Sequence, residues 1–311
     1  MKLLITALLT LCLSPYLSPI AIAEEELLVR YHQSPRDIDR RDDYFVALLE
    51  LALRKTENSD GPYLLVSNER KMTQQRTLAN LEQGRYLDVV WTMTSAEREQ
   101  QLLPVRIPLL RGLLGHRVFI IREEDRQLFE QITKVEDLQQ LKAGQGKDWP
   151  DTEILQANRI PVVTGSNYQG LFGMLRAERF DYFPRGVNEP WEEIRIHADK
   201  QLAVEPNLVL QYPAPVFFFV NKQNHALQAR LERGLRLALE DGSFFQLFYE
   251  HPSNHYIFEV SRLAQRRMFQ LRNPLLSEET AALLSQSELW YHPDECQQQQ
   301  SPCYQKASHH D

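Results

Sequence analysis

Glycine is scarce here, at 12 of 311 residues, which excludes collagen-like and glycine-linker architectures. An excess of positive charge is also missing. Lys and Arg number 35 against 42 Asp and Glu, a formal net charge of −7. That balance provides no global attraction for nucleic-acid phosphates or anionic lipid, so neither is an expected partner. Beyond the N-terminus no apolar run approaches the roughly 18 residues that a spanning helix needs, so the mature chain reads as no integral membrane protein. A P-loop, an HExxH helix and a dinucleotide fingerprint are all absent. Gly165-Ser166-Asn167-Tyr168-Gln169-Gly170 has the wrong spacing for a nucleophile elbow. With no legible nucleophile–base pair or paired-carboxylate site, neither an enzyme nor a cofactor is expected.

What is present begins with an export signal. Lys2 precedes an apolar run from Leu3 to Leu13, then Pro15, Pro19 and Ala21-Ile22-Ala23 before Glu24-Glu25-Glu26. A basic start, a short apolar core and small residues at a cut are the pattern of a secretory signal peptide. Residues 1–23 are therefore expected to be removed and the remainder to be periplasmic. The alternative, a membrane anchor, fails on length, since the run covers only about half a bilayer. Cys12 follows Leu11, where lipid attachment needs a small residue, so it leaves with the signal. Cys296 and Cys303 then remain, and an oxidising compartment favours a disulfide between them. Metal capture with His309, His310 and Asp311 is the competing reading, weakened by a spacing unlike that of zinc knuckles.

The body of the chain, 43% hydrophobic and 25% charged, alternates strand-like and helix-like segments, an α/β pattern. Leu27–Tyr31 and Tyr63–Val66 read as strands. Between them Phe45, Leu48, Leu49 and Ala52 follow helical spacing, with Asp42 or Asp43 at the helix start. Thr73 suits the cap of a helix carrying Leu78 and Leu81 and stopped by Gly84. Asp88–Trp91 is a short strand, followed by a helix opening at Ser95-Ala96-Glu97-Arg98. Arg117–Arg122 and Val216–Val220 are long apolar strands flanking a stretch with its own strand, glycine turn and helix. Chain order thus predicts a first lobe (24–114), an inserted second lobe (115–213), a return to the first (214–274), and a C-terminal helix with a Gln-rich tail (275–311). Leu227, Leu231, Leu235 and Ala238 form the apolar stripe of the returning helix. His251, His255 and Glu259 imitate a metal site, but Pro252 between the histidines spoils the single-helix geometry such a site uses.

Asp88-Val89-Val90-Trp91-Thr92-Met93-Thr94-Ser95-Ala96-Glu97-Arg98, followed by Pro104-Val105-Arg106-Ile107-Pro108-Leu109-Leu110, resembles family 3 of the bacterial extracellular solute-binding proteins. Thr164-Gly165-Ser166-Asn167 is similar to that family's turn at a helix start, and Val216–Asn221 to its returning strand. The resemblance covers about residues 26–272. It implies a two-lobe, type II periplasmic-binding-protein-like fold, each lobe a mixed sheet flanked by helices. It also implies a monomer that closes on a small-molecule ligand for an ABC permease, or alternatively serves a membrane sensor or partner without transport. Arg98 matches the arginine that pairs with a ligand carboxylate, a task for which a guanidinium's parallel donors are suited. Ser166 and Asn167 would turn a helix start toward the ligand, while Tyr31, Trp91, Met93 and Thr94 would line the cleft.

One departure stands out. Where the family keeps an acid for the ligand's ammonium group, this chain has Gly186 beside Arg185. A cation in place of a carboxylate reverses the local preference toward an organic anion, or toward an aromatic ligand stacked on Trp91; the competing reading is that Arg185 faces solvent or pairs with Glu189. The hinge is expected at Gly112–Gly115 and Tyr212–Pro215. Pro274-Leu275-Leu276 and Leu289-Trp290-Tyr291 are placed to strap back across the first lobe or to offer a docking surface.

Overall fold

A computed structural model describes residues 26–33, 40–70, 72–292 and 295. The proposed signal segment, Cys296 and Cys303 lie outside the described residues. The strands are, in chain order, β1 (Leu27–His32), β2 (Tyr63–Asn68), β3 (Val89–Met93), β4 (Leu102–Val105), β5 (His116–Arg122) and β6 (Ala143–Gly146). They continue with β7 (Val162–Gly165), β8 (Phe183–Gly186), β9 (Leu202–Val204), β10 (Leu208–Gln211), β11 (Val216–Asn221) and β12 (Arg267–Gln270). One sheet has the order β2-β1-β3-β11-β4, and a second has β12-β10-β5-β8 with β9 also paired to β5. Each is mixed: β1, β2 and β3 run parallel, while β11 is antiparallel to β3 and β4. β6 and β7 form a separate parallel pair, bridged to the second sheet's chain by Ala143 and Tyr182. The two sheets define two lobes.

β11 shows why the first lobe needs cover on both faces. Phe217, Phe218 and Phe219 are all buried although alternate residues of a strand point to opposite faces. Phe218 enters the core formed with the helices Asp42–Lys55 and His225–Glu240. Those helices approach so closely that a Cβ on Gly234 would lie 1.9 Å from the carbonyl oxygen of Ala52. Phe217 and Phe219 face the other way, beneath Leu81 of helix Gln74–Glu82 and beneath Leu283, Leu289 and Trp290 of the C-terminal segment. Thr73 and Ser95 cap their helices as expected, and Ser277 caps the C-terminal one; each accepts a bond from the backbone three residues on.

The lobes are joined where β4 passes to β5 and β10 to β11. There Tyr212 N–H donates to the Gly115 carbonyl at 3.1 Å. A Cβ on Gly115 would fall 1.9 Å from the Tyr212 carbonyl oxygen, so only glycine allows the two crossings to lie together. A third crossing departs from the expected division. The segment assigned to the first lobe through residue 274 re-enters the second sheet at β12, parallel to β10. The chain then returns, and Ala96 N–H donates to the Leu275 carbonyl at 2.7 Å. Among the described residues no helix is long and apolar enough to cross a membrane.

Candidate binding site between the lobes

β3 ends at Met93, and Ser95 caps the helix Ala96–Gln101, so Arg98 sits one turn in and folds back over the strand end. Its Nη1 donates to Thr92 Oγ1 at 2.9 Å and to the Met93 carbonyl at 2.6 Å, and its Nη2 to Gln74 Oε1 at 2.6 Å. All three acceptors are neutral, although the residue is only 7% exposed. Burial pushes the guanidinium down to about 10, opposed by Asp151 and Glu97. It stays charged at neutral pH, and among the described residues no carboxylate forms an ion pair with it. A buried cation held by dipoles alone gains strongly from an anion.

Arg117, at the start of β5, lies on the other side of Met93, with its Nη2 3.6 Å from the Met93 sulfur. The same nitrogen is 2.6 Å from Asp151, at the start of helix Pro150–Ala157, and Nη1 is 3.6 Å from Glu189. Tyr212 donates its hydroxyl to Asp151 as well. Desolvation works against the Arg117 charge, but Asp151, Tyr212 and Glu189 outweigh it and raise its pKa.

The third cluster corrects the expectation for Arg185. Its Nε meets both Glu193 oxygens at 3.0 and 2.9 Å, and its Nη2 meets Glu189 at 2.8 Å. Trp149 and Phe183 lie against the guanidinium, each with its ring centre 4.9 Å away. Arg185 is therefore committed to carboxylates on the turn and helix that follow it (Pro190–Ile196) and adds no free positive charge. Glu189 also accepts from Gly186 N–H at 2.6 Å. Glu189 thus sets a carboxylate against the Gly186 backbone. From the first lobe, Arg41 reaches the same pair, 2.9 Å from Glu189 and 3.1 Å from Glu193.

The remaining candidates separate. Met93 and Thr94 are buried at the end of β3; the Thr94 hydroxyl donates to Glu99 at 2.6 Å and its N–H to the Pro215 carbonyl at 3.0 Å. Trp91 stacks on Phe45 at 5.6 Å and donates to Asp42 at 2.9 Å, while Tyr31 lies buried with its ring 6.1 Å from Trp91. These rings serve the first-lobe core. Ser166 and Asn167 are exposed; the Asn167 side chain accepts from Gly170 N–H at 3.2 Å as an ordinary helix cap, and neither residue joins the arginine clusters. Sequence reasoning missed Gln74, Thr92, Arg117, Asp151, Tyr212, Arg41, Tyr168 and Glu193, while the pairing of Arg185 with Glu189 was one of its two readings. The legible signals were a charged residue opening an apolar strand at Arg117 and the i, i+4 acids at 189 and 193. His251 Nδ1 accepts from Ser253 N–H, and among the described residues no cluster of three metal-ligating side chains occurs. A cavity of about 440 Å³ opens beside helix Gln74–Glu82, lined by residues that include Arg70, Arg76 and Tyr86 but not Arg98.

No protein-family model and no curated protein matches the sequence. Solved structures do match the fold. An ancestral arginine-binding protein bound to glutamine aligns at a TM-score of 0.54 and 14% identity, covering 74% of this chain and 99% of that one. The probable amino-acid ABC transporter extracellular-binding protein ytmK of Bacillus subtilis aligns at 0.54 and 17%, covering 75% and 100%. A histidine kinase sensor domain with similarity to periplasmic binding proteins aligns at 0.52 and 17%, covering 71% and 94%. The chain has the two-lobe fold of these binding proteins, as the resemblance implied, at the low identity of a divergent sequence.

Proposed function

We propose that the chain is an exported, non-enzymatic receptor, a monomer that binds a small polar solute bearing a carboxylate between its lobes. The observation that carries this reading is Arg98, a buried guanidinium whose acceptors are all neutral. Its parallel donors match a carboxylate's two oxygens. Asp151, in the second lobe, is near enough to Arg98 to act on its charge and is held by Tyr212 at the crossing, so a solute bound between Arg98 and Asp151 would touch both lobes only when they are shut. Ligand then adds to the stability of the shut form. Arg117 is given a positioning role: it orients Asp151 and meets the Met93 sulfur at the floor of the cleft.

The shut form would be presented either to an ABC permease or to a membrane sensor. The second reading, a sensory or partner-binding module without transport, draws support from the ion pairs that already link Arg41 to the second lobe. The likeness to a histidine kinase sensor domain points the same way.

The test is a thermal-shift screen of the chain from Glu24 against amino acids, organic anions, aromatic acids and oligopeptides. A ligand at 1,000 times its Kd adds about 4 kcal/mol, on the order of 8 °C for a protein of this size. A shift confined to carboxylates and absent from Arg98→Gln supports the reading. Equal shifts in wild type and Arg98→Gln would remove Arg98 from the site. Silence across the whole panel favours the partner-binding module.

A further inference from the structure

The Arg41 contact joins the lobes through this chain's own side chains. Arg41 stands at the first turn of helix Asp42–Lys55, an element of the first lobe. Its neighbours anchor that turn: Asp42 accepts from the Trp91 indole at 2.9 Å and Asp43 from Gln33 at 2.8 Å. The guanidinium then reaches across, with Nη1 at 2.9 Å from Glu189 Oε1 and 3.1 Å from Glu193 Oε1, and Nη2 at 3.5 Å from the Tyr168 hydroxyl. Tyr168 itself donates to Glu193 at 2.7 Å. All three partners belong to the second lobe. Glu193 is 2% exposed at its side chain and Arg41 only 18%, so little water screens the contact.

Charge accounting explains what the pocket requires. Arg185 and Arg41 together balance Glu189 and Glu193, while the Arg117 charge goes chiefly to Asp151 at 2.6 Å. Without Arg41 one buried negative charge would lack a partner, which low-dielectric surroundings penalise heavily. The shape is specific as well. Two carboxylates and a phenol oxygen surround a planar fork of N–H donors, an arrangement that suits a guanidinium better than an ammonium point charge. A cavity of about 20 Å³, room for a water and no more, lies beside the contact, lined by residues that include Arg41, Tyr168, Glu193 and His197, so a guanidinium enters only when the Arg41 side chain is gone.

We propose that Glu189, Glu193 and Tyr168 form a guanidinium subsite that Arg41 fills in cis, so that the lobes latch shut with no solute bound. Arg41 acts as a tethered ligand. An external guanidinium compound is excluded from the subsite while the tether occupies it and is accepted once the tether is removed. The proposal does not rest on Arg98, whose role is reported separately by the carboxylate screen.

The experiment compares wild type, Arg41→Ala and Arg41→Gln by small-angle scattering and by calorimetric titration with methylguanidinium, with methylammonium as control. Arg41→Gln keeps a polar but shorter, uncharged side chain and tests the same point if the alanine variant folds poorly. Wild type is expected to scatter as a compact particle, unchanged by methylguanidinium and giving no binding heat. The variants are expected to show a larger radius of gyration that returns to the wild-type value with millimolar methylguanidinium but not with methylammonium. Variants as compact as wild type would overturn the latch. Open variants that ignore methylguanidinium, or respond equally to methylammonium, would overturn the guanidinium subsite.

Discussion

Arg98 and His116 illustrate opposite solutions to burying an ionisable side chain. Arg98 keeps its charge with neutral acceptors only, an arrangement that costs stability through desolvation. Arg98→Gln should therefore lose carboxylate-induced stabilisation while changing unfolding free energy by only about 1–3 kcal/mol, because lost hydrogen bonds are partly offset by relief of desolvation. Urea denaturation with and without ligand measures both quantities. His116, beside the hinge, instead gives up its charge: burial pushes its pKa down to about 4, helped by Arg117 and opposed by the Gly112 carbonyl. The unfolded chain holds that proton more tightly than the folded one, with a pKa near the ordinary 6.5. Stability from this group is complete above pH 6.5 and drains away as pH falls toward 4, by on the order of 2–3 kcal/mol. His116→Asn should flatten this part of the pH profile of the melting temperature. An equally steep profile in the variant would assign the acid sensitivity to other groups.

At the scale of elements, close approaches and covered faces govern stability. Gly234 lets two helices meet at the Ala52 carbonyl, so Gly234→Ala should force them apart and lower stability by about 1–3 kcal/mol, read as a fall in denaturation midpoint. The C-terminal segment behaves as an integral layer. Trp290 N–H of the indole donates to the Leu283 carbonyl at 2.8 Å, and its ring covers Gly112, where a Cβ would lie 2.5 Å from it. Arg111 fastens the segment, donating to the Trp290 carbonyl at 2.7 Å and to the Tyr249 hydroxyl at 3.0 Å. Truncation after residue 274 should uncover the Phe217 and Phe219 face and yield a chain that binds hydrophobic dyes and aggregates. A truncated chain with unchanged melting and no dye binding would reduce the segment to an appendage. Of the two roles the sequence left open for Leu289-Trp290-Tyr291, the strap is the one that forms.

At the scale of the whole molecule, the lobes meet through ion pairs that are largely shielded from water. Closure should consequently survive salt concentrations that erase surface pairing, with the wild-type scattering profile unchanged at high ionic strength and the Arg41→Ala profile open throughout. Alternating apolar segments, caps at Thr73 and Ser95, and the strands β1, β2, β3, β5 and β11 were legible from residues alone, because each rests on local periodicity and local hydrogen bonding. The position of Arg98, one turn into the helix after β3, was legible too, since the strand and helix start lie within eleven consecutive residues, 88–98. The partners of Arg185 were half visible, as acids four and eight positions on, but their geometry was not. Arg41 was out of reach: 148 positions separate it from Glu189, and in sequence it lies in a mixed-charge run that reads as a solvated loop. Local order thus follows from the chain itself, through short-range sterics and hydrogen bonds. Which charges are paired and which cation is left with dipoles were decided only when the fold brought distant groups together out of water, where each charge must find a partner.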